Sequence, residues 1–158
     1  MTHYRIVDTN VPATASSDNP PSIDCRKRCV AELEGFFSGT CILVIDDQWH
    51  VLGEYQRNLK RGGLAERFLR WVLDNRHNPE RCCLIYLASD PVWSFKDFPK
   101  DKRLAKFDRA DRKWIALSRA SARELNIHPP IAQATDLKWK QFAAILRAYG
   151  VDIDFICS

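Results

Sequence analysis

Acidic residues stand where an α/β chain positions its chemistry. Asp8 closes an apolar opening run over residues 4–7 and is followed by Thr9 and Asn10. Asp46 and Asp47 close a second run over residues 41–45, Asp90 lies beyond a third over 82–88, and Asp136 follows a fourth over 130–135. Asp108 and Asp111 open the helical segment that leads into that fourth run, and Glu54 sits late in the stretch 49–55. Carboxylates brought to one sheet edge repel one another unless protons or a cation compensate. A hard divalent cation with oxygen ligands is the natural compensation, and Mg²⁺ takes few carboxylates plus substrate phosphate. Singly, most of these acids have an ordinary use: Asp108, Asp111 and Asp136 suit helix N-termini, and Asp46-Asp47 suits a turn. Asp8, an acid at the end of an apolar first strand, needs more explanation.

The elements that must carry these residues alternate along the chain. Residues 4–7 read as a strand, followed by a turn-rich stretch from Pro12 to Pro21. Ser22 is placed to cap a helix from Ile23 to Phe37, with Gly39 as its stop. Residues 41–45 read as a strand, and 49–55 alternates enough to predict a hairpin partner for it. Gly62-Gly63 precedes a helix whose stripe is Leu64, Phe68, Trp71 and Val72. A buried strand over 82–88, an irregular segment over 89–107, a helix over 109–125, a strand over 130–135, a helix over 137–149 and a strand over 151–156 complete the pattern. The expected fold is a three-layer α/β/α sandwich with a mainly parallel central sheet and an added β-hairpin, one domain over residues 1–158. In such a sheet, ligands bind outside the carboxyl ends of the strands, where the acids fall.

The cysteines, Cys25, Cys29, Cys41, Cys82, Cys83 and Cys157, form no CxxC pair, and no histidine stands at zinc-finger spacing from them. Cys25 and Cys29 share a helical face, as half a metal site would, yet read more simply as buried small hydrophobes. Arg5 interrupts the short N-terminal apolar stretch, which predicts no secretory leader, and no apolar run approaches a membrane span. A cytoplasmic protein with reduced, structural cysteines is expected.

Downstream motifs sharpen the reading. The opening Tyr4-Arg-Ile-Val-Asp-Thr-Asn10 resembles the first motif of PIN-domain nucleases; Phe107-Asp-Arg-Ala-Asp-Arg-Lys113 resembles their helix-borne acidic motif, and Ala134-Thr-Asp136 their last motif. The order fits over most of the chain. The resemblance implies a pocket for Mg²⁺ or Mn²⁺ and hydrolysis of phosphodiester bonds, usually in RNA. Asp8, Asp111 and Asp136 match three of the family's acids and would hold the metal. Asn10 supports the pocket, with Thr135 and Asp108 beside it. The family's remaining acid is a Glu on a helix after the second strand. Glu54 is the best candidate, although it falls in the apparent hairpin, and Asp46 or Asp47 could serve instead. Small lone members are often toxins neutralised by a protein partner, or defence effectors, and a homodimer is open. A PIN-like scaffold without catalysis, binding nucleic acid or a protein, is the alternative.

The charge distribution agrees with a polyanionic substrate. The net charge of +4 is small, but its basic residues are grouped: Arg57, Lys60 and Arg61; Lys96, Lys100, Lys102, Arg103 and Lys106; Arg109, Arg112 and Lys113. Arg57, Lys60, Lys102, Arg103, Arg112 and Lys113 are the expected phosphate contacts. Trp93, Phe95 and Phe98 read as core cover in preference to base-stacking residues. Other chemistries fit worse. An aspartyl phosphotransferase needs a second Asp where Asn10 stands, no G-x-G-x-x-G follows the first strand, and no nucleophile elbow is present.

Overall fold

The computed structural model describes residues 3–59 and 62–158. Its strands are β1 (His3–Val7), β2 (Cys41–Asp46), β3 (Cys82–Ile85), the short pair β4 (Ser89–Asp90) and β5 (Ser94–Phe95), β6 (Ile131–Gln133) and β7 (Ile153–Phe155). Five of them form one parallel sheet in the order β3-β2-β1-β6-β7, while β4 and β5 pair antiparallel as a separate hairpin. Consecutive residues Ile6 and Val7, and Leu43, Val44 and Ile45, are all buried. A parallel sheet covered on both faces demands such continuous apolar runs.

The helices are α1 (Asn10–Ala15), α2 (Ile23–Phe37), α3 (His50–Asn58), α4 (Gly63–Asn75), α5 (Arg112–Leu125) and α6 (Ala143–Ala148). α1, α2 and α4 pack on one another and α2 reaches β2, whereas α5 crosses β1, β2 and β3. The sheet is the middle layer of a three-layer α/β/α fold. Ser22 caps α2 as its sequence implies, its hydroxyl accepting the Cys25 N–H at 2.9 Å. Ser16 does the same for α4 from a distance, accepting the Ala65 N–H at 2.6 Å.

Two elements depart from the sequence reading. The turn-rich stretch expected from Pro12 to Pro21 begins instead inside α1 (Asn10–Ala15), because Pro12 lies in the first helical turn, where its missing N–H leaves no bond unmade. Residues 49–55, expected as a hairpin partner, lie in and just before α3; the antiparallel pair of the fold is β4–β5 instead. Asp46 is the cause. Its Oδ2 accepts the N–H groups of Gln48 and His50, both at 3.0 Å, and its Oδ1 accepts that of Val51 at 2.8 Å. A carboxylate taking three N–H donors at a helix start favours the helix over a strand.

The expectation of six reduced cysteines also fails: Cys25 in the first turn of α2 is disulfide-bonded to Cys157 beyond β7, 132 residues away. Closing so long a loop stabilises a chain by at most about 5 kcal/mol through the unfolded state, and commonly by 2–5. Reduction in the presence of EDTA is therefore expected to lower the melting temperature by roughly 5–15 °C. An unchanged melting curve would show that the bond contributes little.

Candidate functional site

The sheet order reverses between β1 and β6, and the crevice at such a reversal is where parallel sheets take their ligands. Asp8 leaves β1 at this point and Asp136 follows β6. Asp8 is buried, 6% exposed, and held on every side. Its N–H donates to the Ala132 carbonyl at 3.1 Å, its Oδ1 accepts the Asn10 N–H at 3.0 Å, and its Oδ2 accepts from Gln133 Nε2 at 3.1 Å. Gln133 is fully buried, and its Oε1 accepts from Asn10 Nδ2 and from the Asp136 N–H at 3.1 Å. Asn10 Oδ1 in turn accepts the Ala134 N–H at 3.1 Å. One amide network thus fixes the first acid relative to the last.

α3 delivers Glu54. The neighbouring Tyr55 is fully buried and its hydroxyl donates to the Val7 carbonyl at 2.6 Å, which ties the helix to the end of β1. Glu54 accepts from Thr9 Oγ1 and pairs with Lys113 Nζ at 2.6 Å. Asp111 ends a 3₁₀ turn (Arg109–Asp111) that runs directly into α5. Trp139 Nε1 donates to its Oδ2 at 3.4 Å. Asp108 caps that turn through the Ala110 N–H at 3.0 Å, and Asp136 caps the next through the Lys138 N–H at 3.2 Å.

The electrostatics are those of crowded carboxylates. Burial, then the charges of Asp111 and Glu54, push the Asp8 carboxyl up to about 7 against its two N–H donors. Burial, then Asp108, Asp136 and Glu54, push Asp111 up to about 6 against the Trp139 N–H. Among the described residues Lys113 is the only cation within 4.0 Å of any of these five acids. Asp8 and Glu54 line a cleft of about 870 Å³ with Thr9, Asn10, Arg57 and Asn58. Asp108, Asp111 and Asp136 line another of about 270 Å³ with Lys106, Lys138 and Trp139. Among the described residues no three carboxylates bring their oxygens within 4.8 Å of one another.

Protein-family models, curated proteins and solved structures yield no match to this chain.

The site therefore rests on its own geometry. Asp8, Asn10 and Glu54 on the larger cleft and Asp111 and Asp136 on the smaller are linked by hydrogen bonds or by mutual repulsion. Glu54 stands on a helix after the second strand. Asp46 is withdrawn as an alternative, since its carboxylate is spent on three backbone donors. Asp47 is exposed at the turn beside it. Asp90 accepts the Val92 and Trp93 N–H groups within the hairpin. Thr135 is exposed, next to the network without joining it.

The basic residues divide. Arg57 is exposed on the larger cleft, and Lys102 and Arg103 are exposed, with Arg103 forked onto Asp101. Arg112, expected at a phosphate, is buried instead: its guanidinium donates to the Phe107 and Ala105 carbonyls at 3.2 and 3.0 Å and lies over the Phe98 ring. Lys113, expected at a phosphate too, is buried against Glu54. Lys60 and Arg61 lie outside the described residues. Phe95 and Phe98 are core residues as expected, and Trp93 is half-buried over the same core. Sequence reasoning missed Gln133, whose signal was a lone amide inside the apolar strand Ile-Ala-Gln-Ala, and missed Lys113 as the counterion of Glu54.

Proposed function

We propose that this protein is a divalent-metal-dependent endonuclease that hydrolyses phosphodiester bonds, with RNA favoured over DNA by the resemblance to PIN-domain nucleases. The observation that carries the reading is Asp8 at the reversal of the sheet, whose burial, with the charges of Asp111 and Glu54, raises its affinity for protons. The donor set is all oxygen and hard, which suits Mg²⁺ or Mn²⁺ and not a soft metal. Asp8, Asp111 and Asp136 would hold the cation, with Glu54 beside them. A bound Mg²⁺ or Mn²⁺ supplies an activated water and charge neutralisation at the phosphate and leaving oxygen.

The chain's own residues do the rest. The Asn10 N–H and Gln133 Nε2 fix the Asp8 carboxylate, and the Trp139 N–H orients Asp111. Lys113 holds Glu54 in the crevice. Arg57 beside the larger cleft, and Lys106 and Lys138 beside the smaller, would track a phosphate backbone across it.

Purified protein incubated with labelled single-stranded RNA is expected to cleave it with Mn²⁺ or Mg²⁺ and not with EDTA, more slowly as salt rises. Cleavage that survives EDTA, or none with either metal, rejects the reading. One observation favours a scaffold without catalysis: an ammonium already pairs with Glu54, as in a pocket whose charge is balanced within the protein. Calorimetry showing no Mn²⁺ uptake would support that alternative.

A further inference from the structure

The three sulfurs of Cys25, Cys29 and Cys157 all lie within 4.8 Å of one another, and none of the three residues lines the acidic clefts. Cys25 and Cys29 project one turn apart from α2, and both are buried. Cys157 comes from beyond β7, half-exposed, with its sulfur 3.8 Å from that of Cys29. We propose that Cys25, Cys29 and Cys157, once the Cys25–Cys157 bond is reduced, form a three-thiolate site for a soft divalent cation, and that the donor set fits zinc.

Several features support this site. Zinc–thiolate bonds of about 2.3 Å in a tetrahedron separate their sulfurs by about 3.8 Å, which is the Cys29–Cys157 spacing. Thiolates select zinc and other soft ions over Mg²⁺ and Mn²⁺, so this site and the acidic crevice do not compete. Three thiolates and a dication leave one negative charge. Arg28 stands beside it, its guanidinium donating to the Ile156 carbonyl at 3.3 Å. Glu32 is taken up by Arg5 at 2.5 Å. A cleft of about 500 Å³ is lined by Arg28, Glu32 and Asp154 and by Ile156 and Ser158, the residues on either side of Cys157 in the chain; it is the route by which a cation would enter. Among the described residues no further His, Cys or carboxylate joins the three, so a solvent molecule completes the tetrahedron.

The step that opens the site balances with a cellular monothiol. Two equivalents reduce the bond, giving the Cys25 and Cys157 thiols and one molecule of the monothiol's disulfide. The cation then displaces three thiol protons.

The test titrates reduced, full-length protein with Co²⁺ in the absence of oxygen. The expected result is a thiolate-to-cobalt charge-transfer band that saturates at one equivalent and is bleached by Zn²⁺; oxidised protein gives none. Cys29→Ser, checked for folding by circular dichroism and by formation of the Cys25–Cys157 bond in air, should weaken Co²⁺ binding by about 100-fold or more. Cys157→Ser at the half-exposed chain end is the second variant and should do the same, while Cys83→Ser leaves the band unchanged. Asp8→Asn also keeps the band, which separates this site from the carboxylates. Reduced wild-type protein without the band, or a band undiminished in both Cys29→Ser and Cys157→Ser, overturns the proposal.

Discussion

Asp8→Asn is expected to give a folded protein that cleaves single-stranded RNA at less than about one-thousandth of the wild-type rate with Mn²⁺, a loss of about 4 kcal/mol of transition-state stabilisation. The same substitution should flatten the pH dependence of stability. The Asp8 carboxyl, ordinarily near 3.8, is pushed up to about 7 by burial and by Asp111 and Glu54. Between those values the folded protein keeps a proton that the unfolded chain has released. The stability this contributes is fully present below about pH 4 and is lost as pH rises through about 7. Apo protein in EDTA should therefore be less stable at pH 8 than at pH 5 by roughly 2–3 kcal/mol, part of the full shift at about 1.4 kcal/mol per unit, since the unfolded carboxyl is already ionised at pH 5. The carboxamide introduced by Asp8→Asn cannot ionise, so that slope should shrink in the variant. Urea unfolding at the two pH values reads the stability, and a gel assay reads the cleavage. Full cleavage by Asp8→Asn would remove Asp8 from the metal, and an unchanged slope would remove burial of its charge as the cause.

The parts of this site that the sequence disclosed are those where residue type and strand position coincide. An apolar run that ends in Asp-Thr-Asn puts Asp8 at a strand's carboxyl end whatever the tertiary fold, and the same logic places Asp136 after the run containing Gln133. The topology adds what spacing cannot. β1 and β6 become neighbours only because the chain reverses direction across the sheet, and that adjacency brings Gln133 onto Asp8. Residues 49–55 show why local pattern failed at Glu54. Seven residues with Trp, Val, Leu and Tyr fit a strand as well as a helix, and the choice was made by Asp46, which binds three N–H groups at the helix start. Arg112 was misread because sequence gives charge without burial: a guanidinium donating to two carbonyls beneath aromatic rings pins the chain and is not free for phosphate. The Cys25–Cys157 bond spans nearly the whole chain, and nothing local distinguishes those two cysteines from the other four.

Lys113 decides between the two readings of the pocket, and substituting it should produce opposite effects on stability and on metal binding. Its ammonium is 2.6 Å from Glu54, with side-chain exposures of 10% and 17% for the two partners. Breaking a buried pair leaves one charge uncompensated and costs about 3–5 kcal/mol; for this partly wetted pair about 2–4 is expected. Glu54→Gln leaves the ammonium with the Ala110 carbonyl but no carboxylate and should show that loss together with loss of cleavage. Lys113→Met strands a carboxylate among Asp8 and Asp111, whose proton affinities Glu54 already raises. Apo Lys113→Met should therefore be destabilised by a similar amount, yet it should bind Mn²⁺ at least about tenfold more tightly, since the cation no longer competes with the ammonium. In the double variant the two stability losses should fall short of additivity by about 1–3 kcal/mol, because each single change already removes the pair. Calorimetry with Mn²⁺ and urea unfolding in EDTA measure both quantities. If the acids hold a metal, removing the resident cation strengthens the site. If they are a scaffold's balanced charges, Lys113→Met loses stability and gains no Mn²⁺ affinity, and the nuclease reading falls with it.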